Sequence, residues 1–233
     1  MLVDNWWATL NNILYPTKCL GCGVEGAWLC AACNKKLIYN RQGFCLVCGR
    51  PSFGGFTHSN CQLGDYPGRL LSCFSYRGPS VVLIKAFKYR HYWPLAKELA
   101  GLIVRWLKKE QISFTKDFWV TSIPFDWRRQ LTKPANHARF LAQSLSGLLG
   151  LEYHDLLYRR GWSVSQTALS RARRKGNVKE KFTANPRWVC ELPNHPVLLV
   201  DDVVTTGATL LEASGALKRN GSKQVVCLTL ARD

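Results

Sequence analysis

The chain has 233 residues, with 32 Lys and Arg against 15 Asp and Glu, giving a formal net charge of +17. That length accommodates one sizeable domain and a small one, no apolar run reaches membrane-spanning length, and the charge points to polyanionic partners. Phosphate binding accounts for only part of the excess, because one phosphorylated ligand needs only a few cations.

The N-terminus carries Trp6, Trp7, Leu10, Ile13 and Leu14, interrupted by Asp4 and three asparagines. It has no basic flank and no small-residue cleavage site, so it reads as a packing segment of a cytoplasmic protein rather than a targeting peptide.

Ten cysteines in such a chain point to metal rather than disulfides. Cys19-x2-Cys22, Cys30-x2-Cys33 and Cys45-x2-Cys48 are followed by His58-x2-Cys61. Each CxxC puts two thiolates on one knuckle, and two knuckles close a tetrahedral structural site, so these eight residues predict two zinc sites. His58 is placed among the ligands because its spacing from Cys61 repeats the other pairs. Spacing alone leaves sequential and interleaved pairing both open. A thioredoxin-like redox role is disfavoured, because the pairs lie outside any βαβ unit. Cys73, Cys190 and Cys227 lie in or near apolar runs and are expected to be inert core residues. Residues 1–66 form this predicted module. It has few aliphatic residues, so each zinc must supply on the order of 10 kcal/mol of its folding free energy. Chelation is expected to unfold it and spare the rest.

Residues 67–233 form the predicted second domain, entered through the Gly64 to Gly68 linker. Leu71 to Tyr76 reads as a strand. Gly78-Pro79 opens a helical run to Arg90, and a second helix over 94–109 buries Leu95, Leu99, Leu102, Ile103 and Trp106. Lys85, Lys88, Arg90 and His91 form a cationic edge, either a solvated helix end or a surface facing phosphate. Phe118 to Ile123 is the next strand, and the loop after it carries Arg128 and Arg129, a candidate phosphate clamp. Trp127 beside them could equally stack a nucleobase. A helix over 135–149 turns Phe140, Leu141, Leu145 and Leu148 inward. Residues 163–181 form the most basic segment, with Arg171, Arg173, Arg174 and Lys175, and read as a loop acting as a lid or a nucleic-acid arm.

Val197 to Val200 is a continuous apolar run, expected of a parallel strand covered on both faces. Asp201 and Asp202 are expected to end it. Adjacent carboxylates at the carboxyl end of such a strand suit ribose hydroxyls or a divalent metal. Thr205, Thr206, Gly207, Ala208 and Thr209 then precede a helix, and hydroxyls and free N–H groups at a helix start favour a phosphate. Leu210, Ala213 and Leu217 give that helix its apolar face, Asn220-Gly221 ends it, and Val225 to Leu230 is the last strand.

The LLVDDVVTTGAT run resembles the phosphoribosyl pyrophosphate (PRPP) motif of class I phosphoribosyltransferases. The resemblance implies an α/β domain of phosphoribosyltransferase type I with a mostly parallel sheet. Asp201 and Asp202 would contact the ribose with Mg²⁺ nearby, Val203 and Thr205 to Thr209 would complete the PRPP site, and Arg128 and Arg129 would hold pyrophosphate. Together with the CxxC array, LIKAFKYR (83–90), PFDWRR (124–129) and QTALSRARRKGNV (166–178), the chain resembles the ComF family of competence-associated proteins. One departure is Lys133-Pro134-Ala135-Asn136-His137, where the family carries an RGFNQ-like turn; another is His58 in place of cysteine. Membership implies single-stranded DNA handling in the cytoplasm during natural transformation, in some bacteria beside a helicase. Lys85, Lys88, Arg90, Arg171, Arg173, Arg174 and Lys175 are the candidate nucleic-acid contacts. Active phosphoribosyl transfer and PRPP sensing are the alternatives.

Overall fold

A computed structural model describes residues 17–62, 64–89, 94–125, 136–159 and 181–233. Arg90, Arg128, Arg129, Arg171, Arg173, Arg174 and Lys175, and the expectations resting on them, lie outside the described residues. A short helix α1 (Ala31–Lys35) and an antiparallel pair, β1 (Gly43–Phe44) and β2 (Pro51–Ser52), belong to the Cys-rich segment. They are followed by β3 (Arg69–Ser75), α2 (Pro79–Tyr89), α3 (Leu95–Lys109), β4 (Trp119–Ser122), α4 (His137–Leu149) and β5 (Glu152–Tyr153). The chain then forms β6 (Leu157–Arg159), β7 (Phe182–Ala184), β8 (Val197–Val204), α5 (Ala208–Arg219) and β9 (Val225–Arg232).

Five strands form one sheet in the order β3-β9-β8-β4-β5, with every neighbouring pair parallel. The apolar run of β8 is explained by its two neighbouring layers. Leu198 and Val200 face a core built from α2, α3 and α4, whereas Val197 and Leu199 face one built from α5, β6 and β7. A strand with both faces covered has no solvent side, so alternation disappears. From β4 the chain moves out to β5 on one side, while β8 lies on the other. The carboxyl ends of β4 and β8 therefore flank a topological switch point, where open α/β sheets leave a crevice.

Helix α4 is held at both ends. Asn136 caps it by accepting from the Arg139 N–H, and Gly150 closes it in the left-handed region at φ 64°. Its buried face runs through Ala138, Leu141, Ala142 and Leu145. Leu149 and Phe140 pack partly against the core, whereas Leu148 is exposed, contrary to expectation, because the i+4 successor of Leu145 is Leu149. Cys73 and Cys227 are fully buried, but Cys190 is exposed in the turn before β8 and is not a core residue. Among the described residues no helix is long and apolar enough to cross a membrane.

The Cys-rich segment shares both cores. Leu37 belongs to the α2–α4 core and Leu46 to the α5 core. The Thr57 N–H donates to the Gly68 carbonyl at 2.9 Å. Gly55, at φ 79°, lies so close to β3 that a Cβ there would stand 2.0 Å from the Leu70 carbonyl oxygen. Loss of the segment's fold must therefore disturb the sheet domain, rather than spare it. Leu37→Ala should destabilise the whole chain by about 2–4 kcal/mol, seen in urea as one transition coincident by far-UV circular dichroism and tryptophan fluorescence. A separate early transition would show that the segment unfolds alone.

Candidate functional site

β4 ends where Ser122 pairs with Val200, but β8 continues beside β9 to Val204, so the expected strand end at Asp201 holds on one edge only. Asp201 pairs in register with Thr229 on the β9 side and opens to the crevice on the β4 side. That crevice encloses about 110 Å³ and is lined by Ile123, Pro124, Phe125, Asn136, His137, Ala138, Arg159, Asp201 and Asp202. Pro124 and Phe125 lead toward Arg128 and Arg129, which are themselves not described. Asn136 does two jobs: besides capping α4, its Nδ2 donates to the Ile123 carbonyl at 3.1 Å, tying the helix start to the end of β4.

The two carboxylates differ. Asp202 is paired with Lys88 from α2, Nζ to Oδ1 at 2.9 Å, and its Oδ1 also accepts from the Val203 N–H at 2.6 Å. Asp201 accepts from the Asp202 N–H at 2.8 Å. Burial, then repulsion from Asp202, pushes the Asp201 carboxyl from 3.8 up to about 7, against the opposing pull of that N–H and of Lys88. Lys88, assigned from sequence to a nucleic-acid surface, thus points at the acidic pair; Lys85, one turn earlier, is exposed.

After β8 the loop residues Thr205, Thr206, Ala208 and Thr209 are exposed, while Gly207 is buried. Gly207 adopts φ 77° as the N-cap of α5 and offers no side-chain cap. The start of α5 thus lies directly after the strand that carries the two carboxylates, with the Ala208 N–H donating to the Thr206 hydroxyl at 3.4 Å. Sequence reasoning missed two crevice residues. Arg159, at the end of β6, brings a cation to the lining and lies 5.7 Å over the Phe182 ring. His137, buried on α4, meets Phe87 of α2 edge-on at 5.4 Å. Arg159 lies on the separate β6–β7 pair and His137 at the end of the Lys133–His137 turn sequence, and tertiary packing rather than local sequence brings both to the crevice.

The cysteines form two sequential groups. The donor atoms of Cys19, Cys22, Cys30 and Cys33, and separately those of Cys45, Cys48, His58 and Cys61, all lie within 4.8 Å of one another. Burial alone would raise the Cys19 thiol, but N–H groups of Cys30, Cys22 and Gly21 overturn it and bring it down to about 6. Cys45 is likewise brought to about 7, with the N–H groups of Cys48, His58 and Val47 outweighing burial. Cys33 and Cys61 are pushed up to about 12 and about 11 by burial and by the neighbouring thiols. Four soft donors that lower one another's ability to ionise, around a thiolate already favoured by N–H groups, suit a tetrahedral cation such as zinc. In the second group His58 turns Nδ1 toward Cys48 Sγ, 3.3 Å away, while Nε2 lies 3.1 Å from the Pro51 carbonyl. Donation from Nε2–H to that carbonyl leaves Nδ1 unprotonated for a metal, the usual outer-shell arrangement of a ligating histidine.

Comparison with known proteins agrees with both halves. Residues 10–63 match the Double zinc ribbon domain and residues 138–233 match the Phosphoribosyl transferase domain. The chain is 30% identical over 221 residues to the DNA utilization protein YhgH of Escherichia coli K12, covering 86% of this chain and 96% of that protein. The chain belongs to the ComF family. Other ComF relatives are Competence protein F of Haemophilus influenzae, 28% identical over 87% of this chain and 96% of that protein, and Competence protein ComFC of Streptococcus pneumoniae, 25% identical over 96% of each. In ComF terms the parallel sheet is the phosphoribosyltransferase domain and the Cys-rich segment is the zinc-binding module.

Two outcomes follow for this site. Because Asp201 titrates higher in the folded chain than in the unfolded one, the stability it contributes is complete below about pH 4 and is lost as pH rises through about 7. Asp201→Asn should flatten that dependence and raise the Tm at pH 8 by about 5 °C; an unchanged pH profile would contradict it. For the metal, His58→Cys should retain two zinc ions per chain. His58→Ala should weaken one of them by at least the ~10–100-fold that loss of an outer-shell partner costs, as read by chelator competition.

Proposed function

We propose that the chain is a competence protein that binds PRPP with Mg²⁺ in the crevice at β4 and β8 and handles single-stranded DNA in the cytoplasm during natural transformation. The observation that carries the reading is the juxtaposition of Asp201 and Asp202 with the exposed 205–209 loop at the start of α5, at the switch point of a parallel sheet. Asp201 and Asp202 would hold the ribose hydroxyls and the hydrated Mg²⁺. The 206–209 N–H groups and threonine hydroxyls would take the 5′-phosphate. Pyrophosphate would face Arg128 and Arg129. Lys88 would neutralise the acidic pair while the site is empty and become available to a phosphate oxygen when Mg²⁺ takes its place.

The DNA half of the proposal rests on the charge of +17, on the names of the relatives, and on the basic residues Lys85, Arg90, Arg171, Arg173, Arg174 and Lys175. Cys19, Cys22, Cys30 and Cys33 would hold one zinc and Cys45, Cys48, His58 and Cys61 the other, within a module spanning residues 1–66. A helicase or another competence protein is the proposed protein partner.

A second reading, transfer of the phosphoribosyl group to a nucleobase or a nucleic-acid-linked acceptor, is favoured by Asp201. Asp201 opens to the crevice beside Asp202, so the pair would order ribose and Mg²⁺ and position the reactants for transfer as positive charge develops at C1. Pyrophosphate release from PRPP and Mg²⁺ with an acceptor would distinguish turnover from binding or sensing.

Calorimetry should detect PRPP binding in the presence of Mg²⁺ to the native chain and its loss in the double variant Asp201→Asn/Asp202→Asn. Equal binding by both would place PRPP elsewhere. Single-stranded DNA binding should weaken with salt at a log–log slope near −4, for about six phosphates neutralised; no binding at low salt would remove the DNA half of the reading.

A further inference from the structure

The second metal cluster touches the anion loop through one side chain. Leu46 lies between two members of the cluster, Cys45 and Cys48, and is only 6% exposed. It is buried in the α5 core with Leu70, Val204 and Leu210. Gly207 lies against it: a Cβ built on Gly207 would come 2.5 Å from Leu46 Cδ1 and 3.4 Å from Cγ. Gly207 is both the residue that bends the 205–209 loop at φ 77° and the N-cap of α5. Gly207 itself supplies no side-chain cap, and the Thr206 hydroxyl accepts only from the Ala208 N–H at 3.4 Å, so packing against Leu46 is a second hold on the helix start.

Neighbouring contacts clamp the same knuckle to the carboxyl end of β9, which is in turn tied to the end of β8. Arg232 Nη2 donates to the Gly49 carbonyl at 3.4 Å, and the Arg232 guanidinium lies 3.4 Å from the Phe44 ring centroid. The Asp233 N–H donates to the Val204 carbonyl at 3.1 Å. The first cluster has a different neighbourhood, with Leu20, Trp28 and Leu29 packing on the α2–α4 core. The two clusters are therefore unequal: one braces the helical layer and the other braces the loop.

We propose that Leu46 is a positioning residue for the 205–209 loop, and that metal in the second cluster, by fixing the Cys45–Cys48 knuckle, sets the loop's affinity for a phosphorylated ligand. The knuckle is closed by two backbone bonds at its base, the Gly49 N–H to the Cys45 carbonyl at 2.8 Å and the Cys45 N–H to the Arg50 carbonyl at 2.9 Å, which leave the 46–48 turn to be fixed by its thiolates. Its shape depends on the cation that the donor atoms surround. Loss of that cation releases Leu46, and release of Leu46 removes the surface against which Gly207 holds its left-handed turn. By linkage, a ligand that orders the loop must in turn tighten the second metal. The affinity part of the proposal rests on the anion-site reading above; the positioning part does not.

The test uses the full, zinc-loaded chain with Leu46→Ala, the volume-conserving Leu46→Met, and Phe53→Ala as a control from the same module, Phe53 being 94% exposed. Hydrogen exchange of peptides covering 205–211 reads the loop directly, and calorimetry with PRPP and Mg²⁺ reads affinity. Leu46→Ala should speed exchange in the loop and weaken PRPP by about tenfold each, with peptides covering 19–33 unchanged. Leu46→Met should lie near the native chain and Phe53→Ala should match it. Where Leu46→Ala does not fold, Leu46→Val gives the same comparison at smaller amplitude. Loop exchange unaltered by Leu46→Ala, or altered equally by Phe53→Ala, overturns the proposal. If the native chain binds no PRPP, the pocket reading and the affinity part fall, while the exchange comparison still decides whether Leu46 positions the loop.

Discussion

Two carboxylates on adjacent residues of a central strand are the constraint around which this fold is arranged. Like charges so close, and partly withdrawn from water, are tolerated only with a proton, a cation or donated N–H groups. The chain supplies all three in part. Asp201 is held toward its protonated form, Asp202 takes Lys88, and both accept from the backbone of the next residue. The stagger between β4 and β8 does the rest: β4 stops at Ser122, so the acids meet a crevice rather than a neighbouring strand. The proposed Mg²⁺ would meet the same requirement from the ligand side, a divalent cation taking over the charge that Lys88 supplies.

The anion loop and the metal clusters extend the same argument. At the start of α5 the N-cap Gly207 has no side chain, and the Thr206 hydroxyl accepts from the Ala208 N–H alone. Leu46 of the zinc-binding module lies against Gly207 at that same point. The module is thus joined to the sheet domain at the start of α5 as well as through Leu37 and Gly55.

Much of this was legible in the sequence because it is local. The β8 run, the acids, the TTGAT loop and the α5 face are contiguous, and the knuckle spacing is set by the geometry of two thiolates on one turn. Element positions followed from periodicity, with errors where periodicity is ambiguous: Leu148 and Leu149 compete for one face of α4, and Cys190 follows an apolar pair but lies in an exposed turn. What could not be read was long-range. Lys88 reaches Asp202 across 114 positions, Arg159 and His137 enter the crevice through tertiary packing, and Leu46 meets Gly207 across the two modules. Sequential pairing of the metal clusters also came only from the fold, since spacing permits either arrangement.

The central claim is that the carboxyl ends of β4 and β8 form the phosphorylated-ligand site. A crystal structure of the zinc-loaded chain with PRPP and Mg²⁺ tests it most directly. The account predicts the ribose within hydrogen-bonding distance of Asp201 and Asp202, its 5′-phosphate on the N–H groups of 206–209, and Lys88 displaced from Asp202. Ligand density elsewhere, or a crevice with the Lys88–Asp202 pair intact at saturating PRPP and Mg²⁺, would contradict it.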